Sequence, residues 1–123
     1  MEASTGKGKT GLTRLWNAFH YSRAGFAAAY KNEAAFRQEM VLSLLLIPLA
    51  LVLPVSTIGK AMMIACTLLV PIVELLNSAI EATVDRISLD EHELAKRAKD
   101  IGSAAVMLSL INLAVVWLLI MFF

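Results

Sequence analysis

Glu74, Asn77, Ser78, Glu81 and Asp85 recur at three- and four-residue spacings within 73–86, VELLNSAIEATVDR. On a helix they fall within about 100° of arc, so one narrow face carries three carboxylates, an amide and a hydroxyl. The apolar run 61–73 leads directly into them. Carboxylates beside hydrocarbon are costly, and ionisable groups inside a membrane face a partner, a cavity or a metal. A solvated helix end just outside the bilayer accounts for Asp85 and, less well, for Glu81. It does not account for Glu74, because the apolar run ends at Val73. Clustered carboxylates near lysine suit a hard divalent cation. A deeper carboxylate among apolar groups suits general-base work near neutral pH.

The elements that must hold this face read as membrane helices in one domain of 123 residues. Hydrophobic residues make up 59% of the chain, above the roughly 45–50% of soluble globular proteins. The mean hydropathy of +0.71 agrees. The net charge of +1 is uninformative; no GxxxxGK[ST] or GxGxxG stretch gives a known soluble nucleotide motif, and no nucleic-acid partner is expected. Cys66 lies in an apolar run and reads as a small buried residue without a disulfide partner. The N-terminus lacks the early apolar core of a signal peptide.

Residues 1–10 read as a flexible tail carrying Lys7 and Lys9. Over 11–31, Leu12, Leu15, Trp16, Phe19, Phe26 and Tyr30 share one side, and Arg14, Asn17, His20, Tyr21 and Lys31 the other. This is the pattern of an amphipathic helix lying on a membrane surface, with Arg23 snorkelling from the apolar face. The first span is expected over 34–54, with Pro48 kinking it and Pro54 ending it. The second is expected over 58–84, capped by Ser56. Pro71 within it removes one amide donor and frees the Thr67 carbonyl. Ser88-Leu89-Asp90-Glu91 matches a capping box with Ser88 as N-cap, so a cytoplasmic helix extension and third span are expected over 89–122. Residues 101–123 carry no charge, and Gly102, Ser103, Ala104 and Ala105 offer a small-residue surface for close helix contact. Asn112 lies mid-span and wants an interhelical partner.

Lys7, Lys9, Arg14, Arg23, Lys31 and Arg37 precede the first span, and Arg86, Lys96, Arg97 and Lys99 lie between the second and third. The loop between the first and second has only Lys60. The positive-inside rule then puts the N-terminus and the acidic face on the cytoplasmic side and the C-terminus outside. Three spans should not surround Glu74 on every side, so an oligomer is expected. Glu33 and Glu81 belong to different spans, and one subunit or two neighbours could bring them together.

Glu74-Leu75-Leu76-Asn77-Ser78-Ala79-Ile80-Glu81 with Val84-Asp85-Arg86 strongly resembles the signature of the small prokaryotic diacylglycerol kinase family. Asn32-Glu33-Ala34-Ala35-Phe36-Arg37-Gln38-Glu39 is similar to its lead-in to the first span. Ala98-Lys99-Asp100-Ile101-Gly102-Ser103-Ala104-Ala105-Val106 is similar to its lead-in to the third. The resemblance covers residues 11–123. It implies an all-α integral membrane homotrimer in the bacterial cytoplasmic (inner) membrane, with a surface helix and three transmembrane helices per subunit. It implies ATP- and Mg2+-dependent phosphorylation of a membrane lipid alcohol. Glu74 resembles the catalytic base, with Asn77 alongside. Glu33 and Glu81 resemble the magnesium ligands, and Lys99 and Asp100 the phosphate-binding pair. Asp90, Glu91 and His92 line the nucleotide side, Arg14 and Tyr21 reach the nucleotide from the surface helix, and Arg14, Ser103 and Trp117 lie toward the lipid.

The form Gly102-Ser103-Ala104-Ala105 resembles the diacylglycerol-specific branch more than the undecaprenol kinases of the same fold, which stand as the nearest alternative. An oligomeric proton or cation conductor is a third reading. It is disfavoured because the acidic face fills only the cytoplasmic half of the second span.

Overall fold

The computed structural model describes residues 10–123, and within them four α-helices follow one another: α1 (Gly11–Asn32), α2 (Ala34–Val52), α3 (Thr57–Ile87) and α4 (Glu93–Phe122). Apart from Thr10, the expected flexible tail lies outside the described residues. The last three helices are long and apolar enough to cross a membrane. The chain divides into a unit ending at Asn32, which holds α1, and a unit Glu33–Phe123.

Along α1, Trp16 packs against Phe19 and meets His20 edge-on. Its apolar residues Leu12, Leu15, Trp16, Phe19 and Phe26 are each more than half exposed.

In the second unit α3 packs against both α2 and α4. Its buried residues are Gly59, Met63, Cys66, Thr67, Val70, Pro71, Glu74 and Asn77, a stripe at helical spacing. The stripe has an apolar half and a polar half. In the apolar half Met63, Cys66 and Val70 meet Ala50 of α2 and Leu113 and Trp117 of α4. The polar half begins at Glu74.

Several boundaries shift for local reasons. Helix α2 passes through Pro48 and ends at Val52. Its C-cap Leu53 is extended, as a residue before proline is driven to be. Ser56 caps α3 as expected, its Oγ accepting from the Gly59 amide at 3.0 Å. Helix α3 runs unbroken through Pro71 to Ile87. The interhelical bond in this region forms one turn before the Thr67 carbonyl: Trp117 Nε1 donates to the Met63 carbonyl and to Thr67 Oγ1, each at 3.3 Å.

The capping box is overturned. Because α3 extends to Ile87, Ser88 becomes its C-cap, and the Ser88 Oγ is taken by the Asp90 amide at 3.0 Å. The N-cap of α4 is instead His92, whose Nδ1 accepts from the Leu94 amide at 3.0 Å, so α4 starts at Glu93 rather than 89.

Lys60 resolves why a lone cation stands between the first two spans. Its Nζ donates to the carbonyls of Leu53 at 2.6 Å and Leu51 at 2.8 Å, with that of Ala50 at 3.4 Å. The carbonyls of Ala50 and Leu51 belong to the last turn of α2, whose acceptors lack intrahelical partners, and that of the C-cap Leu53 also accepts from the Val55 amide at 2.8 Å; a cation here is favoured by the helix dipole as well. Lys60→Met keeps the aliphatic stem and removes the donors. It is expected to destabilise the protein by about 1–2 kcal/mol, read from unfolding in detergent micelles. An unchanged midpoint would show the cap to be dispensable.

Candidate active site

The polar half of the α3 stripe opens step by step. Glu74 is 5% exposed and Asn77 8%, Ser78 and Glu81 are half-buried, and Asp85 is exposed. Glu74 and Glu81 are seven residues apart, about 10 Å along the axis. Helix geometry alone puts these groups on one face; the neighbouring helices decide what each meets.

From the N-cap of α2, Glu33 reaches the middle of the stripe. Ser78 Oγ donates to Glu33 Oε1 at 2.9 Å, and the Glu81 carboxyl adjoins that of Glu33. One chain therefore brings Glu33 and Glu81 together. Deeper in the same interface Glu39 is 8% exposed, and its carboxyl adjoins that of Glu74. From α4, Gly102 packs on Asn77 so closely that a Cβ at this position would collide with Asn77 Oδ1. That oxygen is buried and has no hydrogen-bond partner among the described residues. Only glycine's missing side chain permits this approach.

The coverage from both sides corrects one expectation. Glu74 and Asn77 are sheltered within a single chain, so incomplete cover of the stripe does not by itself demand an oligomer.

At the open end, the turn between α3 and α4 encloses a cleft of about 630 Å³ lined by Asp85, Asp90, Glu91, His92, Lys99 and Asp100 among others. Lys99 Nζ donates to Asp85 Oδ1 at 2.8 Å, and its charge also acts on Glu81. Asp100 pairs with Lys96 at 2.6 Å. Such exposed pairs are weak and change partners readily.

Of the other expected site residues in the second unit, Trp117 lies apart from this group. Trp117 is in the apolar core beside Met63 and Thr67, roughly two turns of α3 from Glu74. Ser103 is exposed on α4, and so are Ala104 and Ala105, so of the small-residue surface only Gly102 makes a buried contact. Asn112 is exposed and makes no interhelical bond among the described residues. Arg14 and Tyr21 are exposed residues of α1.

The sequence profile of prokaryotic diacylglycerol kinase matches residues 20–121. The chain belongs to that family. Diacylglycerol kinase of Pseudomonas aeruginosa is 57% identical over 117 residues, which cover 95% of each chain. That of Escherichia coli K12 is 50% identical over 112 residues, covering 91% of this chain and 92% of the relative. That of Haemophilus influenzae is 50% identical over 114 residues, covering 93% and 97%. Membership makes the chain an enzyme of the diacylglycerol kinase family, with three helices suited to crossing a membrane.

Among the described residues no three His, Cys, Asp or Glu side chains form a ready-made metal site. Glu33 and Glu81 are a pair of neighbouring carboxylates that could hold a metal ion. Two carboxylates suit magnesium, whose shell is otherwise filled by water and substrate phosphates.

Proposed function

We propose that the protein transfers the γ-phosphoryl group of ATP to the hydroxyl of membrane diacylglycerol, yielding phosphatidic acid and ADP. Family membership supports the reaction. The observation that carries its chemistry is the graded stripe, with one carboxylate buried at its inner end and an open, charged cleft at the other. The lipid hydroxyl reaches Glu74 from the membrane side. Glu74 takes its proton as the lipid oxygen bonds to phosphorus and the bond from that phosphorus to the β–γ bridging oxygen breaks. Asn77 stands beside the base. Asp90, Glu91 and His92 line the nucleotide side, and Lys99, with Asp100, meets the phosphates after leaving Asp85. Glu33 and Glu81 would hold magnesium, which supplies neutralising charge to the phosphates when bound.

Arg14, Tyr21, Ser103 and Trp117 take their nucleotide and lipid roles by resemblance alone. Helix α1 would lie on the membrane through its exposed apolar face. The same reading assigns a homotrimer in the bacterial inner membrane, with the site on the cytoplasmic face and the C-terminus outside.

Radiolabelled ATP offered with diacylglycerol or undecaprenol in mixed micelles tests the function. Labelled phosphatidic acid is expected. Label only on the polyprenol would assign the undecaprenol branch, and label on neither lipid, with ion flux in liposomes, would reject a kinase.

Glu33→Gln and Glu81→Gln should each raise the magnesium needed for half-maximal activity by at least ~10-fold. The double variant should be little worse, because the ligands act as a unit. Ser78→Ala, which frees Glu33, should shift the requirement in the same direction by less. Magnesium titrations that match wild type would remove the metal role from these carboxylates.

A further inference from the structure

Glu39 and Glu74 are the buried carboxylates among the described residues, and they stand together although α2 carries one and α3 the other. The charged group that acts on Glu39 is Glu74. Two carboxyls desolvated side by side do not both ionise; such a pair shares a proton. Which member holds it follows from the surroundings. Glu39 Oε1 is sealed from solvent and has no hydrogen-bond partner among the described residues, whereas neither oxygen of Glu74 is orphaned in this way. An unpaired carbonyl oxygen of a neutral acid is tolerable in such a place, and an unpaired carboxylate oxygen is far less so. Glu74 also sits at the head of the polar stripe, on the route to the charged cleft.

We infer that Glu39 is a positioning residue for the catalytic base: as the neutral acid it donates a hydrogen bond to one oxygen of Glu74 and leaves the other for the lipid hydroxyl. The inference rests on the reading of Glu74 as base. A carboxyl on a flexible side chain must be held to a fraction of an ångström for efficient proton transfer, and a single hydrogen bond from a rigid neighbouring helix does this. Neutral Glu39 also adds no second negative charge near the incoming phosphates. The pair holds one proton at the start of the reaction. It holds two after Glu74 has taken the proton of the lipid, and one is then returned to solvent.

The test compares Glu39→Gln, Glu39→Leu and Glu74→Gln in steady-state kinetics with ATP and diacylglycerol. Glutamine presents an N–H where the acid presents its O–H, so Glu39→Gln should keep kcat within about 5-fold of wild type. Glu39→Leu fills the space without a donor and should lose ~10²-fold in kcat with KM for ATP unchanged. Infrared spectroscopy at neutral pH supplies a reading that does not depend on the leucine variant folding. A protonated-carboxyl band should be present in wild type and absent in Glu39→Gln. Persistence of that band in Glu39→Gln, Glu39→Gln as slow as a well-folded Glu39→Leu, or wild-type kcat in Glu39→Leu would each overturn the inference. Loss of turnover in Glu74→Gln with normal turnover in Glu39→Leu rejects the pairing alone. Retention of turnover in Glu74→Gln rejects the base itself.

Discussion

Glu74→Gln is expected to lower turnover by at least ~10²-fold while leaving ATP affinity nearly unchanged. The amide preserves the size of the side chain at a position only 5% exposed, so the packing of α2 on α3 has little to lose. What disappears is the capacity to accept a proton. The separation in the two kinetic constants follows from distance. Lys99 and the acidic turn lie beyond Glu81, which is itself about 10 Å along the helix from Glu74. On the proposed roles, removing the base therefore leaves the nucleotide-side groups untouched. Steady-state kinetics together with a direct ATP-binding measurement check this. Near-normal turnover would place the base elsewhere. ATP affinity falling in step with turnover would assign Glu74 to the nucleotide instead.

Much of this arrangement is written in the spacing of α3. Its polar residues recur every three or four positions, so a single helix places Glu74, Asn77, Ser78, Glu81 and Asp85 on one face whatever surrounds it. The Ser56 cap is legible for the same reason, since capping is local. Contacts between helices are another matter. Helix α2 is nearly uniform in apolar character from Met40 onward, so its sequence does not fix which way it turns about its own axis. Glu39 accordingly reads as one more charge in the lead-in to the first span, and only the packing of α2 on α3 turns it inward against Glu74. One signal was available: Glu39 directly precedes an uncharged run, just as Glu74 directly follows one. The shelter given to the stripe was likewise out of reach, because it depends on Gly102 allowing α4 to close on Asn77. The turn at 88–92 failed for a local reason. Ser88 suits both the end of one helix and the start of the next, and the extra turn of α3 decided between them.

Gly102→Leu is expected to reduce activity below roughly a hundredth of wild type, because no movement of Asn77 makes room for four added carbons in a buried helix contact. The alanine variant is more informative. Alanine is favoured over glycine inside a helix by about 1 kcal/mol. Overpacking a buried contact costs about 1–3 kcal/mol. The two nearly offset, so Gly102→Ala should shift unfolding by only about 0–2 kcal/mol. The strain nevertheless falls on one group. The added Cβ meets Asn77 Oδ1 and would lie 3.1 Å from Asn77 Cγ, while the Asn77 backbone stays fixed in α3. Asn77 is 8% exposed and less than one helical turn from Glu74, so displacing it should lower turnover by ~10-fold or more even where the fold survives. A double-variant cycle separates the two effects. Adding Asn77→Ala to Gly102→Ala removes the collision and leaves the helical gain, so stability should return to wild type or exceed it. Turnover should stay low, because the amide beside the base is gone. Wild-type turnover in Gly102→Ala would show that Asn77 has room to move without consequence. Additive stability changes in the cycle would show that the two residues do not press on each other.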